Sequence, residues 1–154
     1  MQKDKLDELA TRYFEVSFMV HRRGETLINQ HISDHLTHDQ HFVLNYIHKN
    51  HSVTSSKLAE ILNIKKSAVT ALINRLEEKA LIERKRQHDD RRVVHLSLSS
   101  KGQRLSEVCN QKVNEIVEDL ITRFNDEEIH QFMQTYEKIA LFLNEALQQE
   151  RKIN

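Results

Sequence analysis

VTSSKLAEILNIKKSAVTALINRLEEKALIERKRQHDDRRVVHLSLSSKG, residues 53–102, reads as two short helical segments followed by a hairpin. Thr54 is a good N-cap for a helix carrying Leu58, Ala59, Ile61 and Leu62, and Asn63, which tolerates the left-handed conformation, marks its end. Ile64 plugs the turn. The next helix, Lys66 to about Lys79, buries Val69, Leu72, Ile73 and Leu76 and leaves Lys66, Ser67, Thr70, Ala71 and Asn74 outward. That face is short and polar, as suits a helix pressed against base edges. Leu81–Arg86 and Val93–Leu98 are predicted strands, the second turning Val94, Leu96 and Leu98 inward. Gln87-His88-Asp89-Asp90-Arg91-Arg92 is the turn between them. A helix-turn-helix with a basic wing places one helix in a DNA major groove and the hairpin tip near the adjacent minor groove. The expected partner is double-stranded DNA.

Amphipathic helices flank this unit. Leu6, Leu9, Tyr13, Val16, Val20, Leu27 and Ile28 recur at helical spacing from Leu6 to about Ile32, with Gly24 a weak interruption. A second helix starts at Thr37, which has capping-box spacing to Gln40, and carries Phe42, Val43, Tyr46 and Ile47 on its apolar face. Beyond the wing, Ser99 caps a helix with Leu105, Val108, Val113, Ile116, Val117 and Leu120 on its apolar side. Asn125 and Glu128 open the last helix as a second capping box, and its stripe runs from Ile129 to Leu147. Three long amphipathic helices could close on one another within one subunit. Their distance in sequence favours interdigitation between two subunits, which sets two recognition helices about one DNA turn apart. The predicted fold is therefore mainly α with a small β wing. It is a single domain, 1–154, in which about 37–102 form the winged lobe and about 1–34 and 103–154 the dimerisation helices.

Composition agrees. The 154 residues include no Pro, two Gly and 30% charged side chains, as expected of a helical protein with few irregular loops. One Cys excludes an internal disulfide framework. Neither an apolar leader nor a run of about 18 apolar residues is present, so a cytoplasmic location without membrane contact is expected. The net charge is zero, but it is unevenly spread. Residues 1–64 hold 7 basic and 8 acidic side chains, residues 65–104 hold 11 and 5, and residues 105–154 hold 5 and 10. The basic excess coincides with the helix-turn-helix and wing, where phosphates would lie. No phosphate-cradling Gly loop, nucleophile elbow or convincing acid pair points to an enzyme.

The order helix, helix, helix-turn-helix, wing, two helices resembles the MarR-type transcriptional regulators over essentially the whole chain. The resemblance lies in Leu36-Thr37, Ser56-Lys57-Leu58-Ala59, Ser67-Ala68-Val69-Thr70, Arg75-Leu76-Glu77, Leu81-Ile82-Glu83-Arg84, Asp90-Arg91-Arg92 and Leu96-Ser97-Leu98-Ser99-Ser100-Lys101-Gly102. It implies a homodimer that binds a pseudopalindromic operator, usually as a repressor, and needs no cofactor. By the same resemblance Arg92 enters the minor groove, Asp90 orients it and Arg91 meets phosphate, while Ser67 and Thr70 touch backbone or base edges. Arg75 serves either phosphate or an internal salt bridge, or with Lys79 forms no more than a solvated helix face. The expected interface is Lys65, Lys66, Ser67, Thr70, Ala71, Asn74, Arg75, Arg84, Arg86, Asp90, Arg91 and Arg92. Four positions depart from the family pattern: Lys65 for a capping Ser, Ala71 for Arg, Ala80 for Gly and Ser99 for Thr. The first two leave the operator sequence open.

Regulators of this type are usually released by a small lipophilic or phenolic effector. Tyr13, Phe14, Phe18, His41 and Tyr46 are the corresponding pocket candidates, although aromatic residues at helical spacing are more often plain core. Of ten histidines, His31, His35, His38 and His41 cluster at spacings that could share a metal, so a zinc-responsive regulator is the alternative. Exposed, solvated histidines with no metal bound are the favoured explanation of the cluster, since the fifth predicted helix supplies no His. Cys109 reads as a buried structural thiol beside Glu107 rather than a redox sensor. A constitutive repressor, or a winged helix that binds protein alone, completes the alternatives; the second should lack the Arg-rich wing.

Overall fold

Thr37 shows how local chemistry sets the boundaries. Its hydroxyl accepts from the Gln40 backbone N–H while the Gln40 side chain accepts from the Thr37 N–H, which opens α2 (His38–Asn50) with a complete capping box. In the computed structural model, which describes residues 3–30, 35–86 and 94–153 (Arg86 and the last three by backbone only), α1 (Lys3–Asn29) precedes it. There follow β1 (Val53–Thr54), α3 (Ser55–Leu62), α4 (Lys66–Glu78), β2 (Ile82–Arg86), β3 (Val94–Leu98), α5 (Ser100–Ile121) and α6 (Asp126–Ile153). No helix among the described residues is long and apolar enough to cross a membrane. The chain divides into two compact units, residues 1–113 and 114–154.

In the first unit the helix-turn-helix is built by two left-handed residues. Asn63, at φ 53°, ends α3, and the Ile64 N–H returns to the Ala59 carbonyl. Ala80, at φ 55°, ends α4 in the same way: its N–H meets the Glu77 carbonyl at 2.7 Å and the Leu81 N–H meets the Leu76 carbonyl at 2.9 Å. Both ends are Schellman motifs. An alanine Cβ crowds the following carbonyl in this conformation, so Ala80→Gly is expected to raise the unfolding free energy by up to about 1 kcal/mol. Chemical denaturation at fixed protein concentration measures it; a loss of stability would mean that the methyl packs usefully.

The wing strands are antiparallel, with Arg84 opposite Leu96 and Ile82 opposite Leu98. A third strand, absent from the sequence reading, lies on the other side: β1 pairs Val53 with Leu96 and Thr54 with His95, giving the order β1-β3-β2. β3 is therefore central. Only Leu96 on it is fully buried, and the expected in-out alternation is muted to half-burial at His95 and Ser97. The core beneath the sheet is Val43, Leu44, Ile47, Leu58, Val69, Ile73, Leu76 and Leu81, all at most 1% exposed.

Three expected features shift. α1 ends at Asn29 among the described residues, and Gly24 does not interrupt it. Leu44 rather than Phe42 joins Val43 and Ile47 in the core; Phe42 is 38% exposed and stacks on Tyr46. On α5 the fully buried residues are Gly102, Ser106 and Cys109; of the expected apolar side, Leu105 packs partly against the core while Val108 stays exposed. At Gly102 the approach is close: a Cβ there would lie 1.9 Å from the Leu81 carbonyl oxygen, so no side chain fits.

α1 buries none of its described residues, and Leu6, Leu9, Tyr13, Phe14, Val16, Phe18 and Val20 are exposed. In the second unit Asn125 and Glu128 close their capping box with two 2.9 Å bonds. Phe132 and Tyr136 stack at 5.5 Å, and Phe142, Leu143 and Leu147 are exposed.

Candidate nucleic-acid interface

α4 is anchored from behind and bare in front. Val69, Leu72, Ile73 and Leu76 bind it to the core, and Lys66, Ser67, Thr70, Ala71, Asn74 and Arg75 are all exposed. Lys65 holds the N-cap position without a side-chain bond, so the first turn keeps unsatisfied N–H groups and the partial positive charge that favours a phosphate. The Thr70 hydroxyl donates to the Lys66 carbonyl at 3.0 Å and so keeps only its methyl and lone pairs for a partner. Arg75 has no ion-pair partner among the described residues; of its expected roles, the internal salt bridge is not formed there.

Arg84 is placed differently from the other basic residues. Its Nε and Nη2 donate to the two Glu77 carboxylate oxygens at 2.7 and 2.8 Å, and Nη2 also reaches Asn74 Oδ1 at 3.1 Å. Hydrogen bonding to Glu77 pushes the guanidinium further above its ordinary pKa. This fork ties the wing strand β2 to the outward side of α4. Glu77 was not among the expected site residues. The only sign of it in the sequence is an acid and a base flanking a helix-to-strand turn. Of the remaining expected contacts, Arg86 is described by backbone alone, and Asp90, Arg91 and Arg92 lie outside the described residues.

Of the expected pocket residues, Tyr46 alone lines either of the two best-formed clefts among the described residues. Tyr13 and Phe14 pack edge to face at 5.6 Å on the exposed α1, and Phe18 is 70% exposed. Tyr46 instead lines a cleft of about 350 Å³ with Asn50, Ser52, Val53, Thr54, Lys57 and His95. His41 is half-buried, and its Nε2 is buried without a hydrogen-bond partner. Burial first, and then the nearby His38, lowers its pKa and so disfavours the charged ring. The His38 ring packs on His21 at 4.2 Å. No group of three potential ligands that could hold a metal forms among the described residues, and His31 lies outside them. Cys109 is buried, which raises its thiol pKa.

Residues 36–94 match the family model described as the MarR family, a span that covers the helix-turn-helix and most of the wing. The chain is 25% identical over 140 residues to the uncharacterised HTH-type transcriptional regulator YwhA of Bacillus subtilis, covering 91% of this chain and 96% of that protein. A shorter match, 45% identical over 67 residues, joins 44% of the chain to 43% of the HTH-type transcriptional repressor MdtR of the same organism. Among solved structures, Streptococcus pneumoniae FabT in complex with DNA superimposes with a TM-score of 0.74 at 27% identity, covering 94% of this chain and 99% of that one. Family model, relatives and fold agree with the bare helix and basic segment: residues 36–94 match the MarR family, and over most of its length the chain is similar to helix-turn-helix transcriptional regulators, one of them solved on DNA.

Proposed function

We propose that the chain represses transcription as a homodimer on a pseudopalindromic operator, with α4 of each copy in a major groove and the 87–92 turn in the flanking minor groove. The observation that carries this reading is the bare outward face of α4, held rigidly by a helix side buried in the core. Lys65, Lys66, Arg75 and Arg91 meet phosphates, as does Arg86, while Ser67, Thr70, Ala71 and Asn74 face base edges. Arg92 enters the minor groove, oriented by Asp90. In this reading residues 1–154 form one domain, with about 1–34 and 103–154 pairing two copies. Support comes from α1, where Phe14 is 71% exposed and no described residue is buried. An apolar face this bare needs a cover.

Release by a lipophilic or phenolic effector is the second part of the proposal. His41 supports it: an imidazole whose burial disfavours the charged form, with a buried, unpartnered Nε2, suits a phenolic hydroxyl. An effector acts only by preferring a DNA-incompetent spacing of the two α4 helices, so operator DNA must weaken effector binding by the same factor.

Retention on calf-thymus DNA and heparin across a salt series, with sizing at low micromolar concentration, tests the first part. Affinity is expected to fall steeply with salt as several counterions are released. The 18.3 kDa chain is expected to elute as a dimer. A flat salt response removes the DNA interface, and a folded monomer removes the dimer. For the second part, a thermal-shift screen of phenolics, metals and oxidants is followed by operator competition. A phenolic stabiliser that operator DNA displaces is expected; stabilisation by zinc alone, lost in His38→Ala or His41→Ala, would replace the phenolic reading with the metal one.

A further inference from the structure

Asn74 is the one carboxamide on the outward face of α4. A free carboxamide reads adenine in the major groove with both ends, accepting from N6 and donating to N7. This one is not free. Arg84 Nη2 stands 3.1 Å from its oxygen. A guanidinium has five donors and no acceptor, so the amide atom facing it must be the oxygen, whichever way the group is drawn. Glu77 fixes the guanidinium in turn, through two bonds of 2.7 and 2.8 Å in the bidentate geometry that holds a planar fork in one place. The amide is thereby held by its acceptor end toward β2. Its Nδ2 group donates to nothing among the described residues and is the end left for a partner.

We infer that Arg84 and Glu77 are positioning residues that make Asn74 a donor-only reader, selecting guanine over adenine at the base pair it faces. Guanine offers two neighbouring acceptors, N7 and O6, to one NH2 group, whereas adenine opposes it with its own N6 donor. The inference rests on the reading that α4 lies in the major groove. It also takes Arg84 out of the phosphate contacts, since three of its five donors are already bonded to Glu77 and Asn74. The neighbouring side chains do not duplicate the function: Ala71 offers only a methyl, and the Thr70 proton is spent on the Lys66 carbonyl.

Selection from a random-sequence duplex pool by the full-length protein and by Asn74→Ala identifies the base pair in question as the one whose preference the variant loses. Four duplexes that differ only there are then titrated. The unsubstituted protein is expected to favour guanine over adenine by about 10-fold, within the discrimination one good base contact supplies. Arg84→Met keeps the length of the side chain and removes its donors. It is expected to bring that ratio close to one while leaving the salt dependence of binding unchanged. A preference for adenine, or a guanine preference that survives Arg84→Met, overturns the inference. So does a salt slope shallower by about one counterion in Arg84→Met, which would make Arg84 a phosphate contact. If Asn74→Ala selects the same sequence as the unsubstituted protein, α4 reads DNA without Asn74 and the inference alone falls. If the unsubstituted protein selects no sequence, the major-groove reading falls with it.

Discussion

Gly102→Ala is expected to lower the unfolding free energy by about 3 kcal/mol or more, at the upper end of what forced overpacking costs. The added Cβ would meet the Leu81 carbonyl oxygen at 1.9 Å, and neither side of that contact is a flexible side chain. Four backbone groups converge on this corner. The Ser99 N–H donates to the Leu81 carbonyl at 3.1 Å, the Ser99 hydroxyl donates to the Ala80 carbonyl at 2.7 Å, and the Gly102 N–H donates to the Ser99 hydroxyl at 2.9 Å. Moving α5 away breaks these bonds along with the packing of Cys109. The gain in helix propensity from Gly to Ala, about 1 kcal/mol, is too small to offset this. Gly24→Ala is the control. Nothing lies within 4 Å of its Cβ position, so the same substitution there is expected to stabilise by about 1 kcal/mol. Urea unfolding followed by circular dichroism at one protein concentration measures both. Similar values for the two glycines would show that α5 does not approach Leu81 as closely as described.

Arg92→Ala is expected to weaken operator binding by about 1–3 kcal/mol per half-site, and a dimer loses the contact twice. The thermal transition should not move, since a hairpin-tip arginine faces the partner rather than the core. This expectation stands on the sequence, Arg92 lying outside the described residues. Arg91→Ala supplies the contrast. A phosphate contact carries no sequence information, so its loss should weaken specific and non-specific DNA alike and flatten the salt slope by about one counterion. Unchanged operator affinity in Arg92→Ala, with normal melting, would take the wing out of the mechanism.

Elements whose start or stop is written in one or two neighbouring residues were legible in the chain. Thr37 with Gln40, Asn125 with Glu128, Thr54 and Asn63 mark helix ends because their side chains or backbone conformations satisfy the orphan groups within a turn. The outward set on α4 was legible for a similar reason: a 3.6-residue period that buries Val69, Leu72, Ile73 and Leu76 leaves only one face for the rest. The family resemblance added roles for the wing residues that periodicity could not assign.

The partners each side chain finds across the fold were not legible. β1 is two residues long, too short for an alternation pattern, and exists because β3 presents a free edge beside it. Apolar content put Val108 on the apolar side of α5, but the face fully buried is Gly102, Ser106 and Cys109, with Gly102 pressed against the Leu81 carbonyl. Arg84 reads as one more basic residue near DNA until Glu77 is seen to hold both ends of its fork. By itself, then, the sequence determined the helices, their caps and the outward face of α4, because those depend on contacts within a few residues along the chain. Tertiary structure alone decided which cations remain available, which end of Asn74 faces outward and why the first turn of α5 needs a glycine at 102, because those depend on groups seven to twenty-one residues apart being brought into contact.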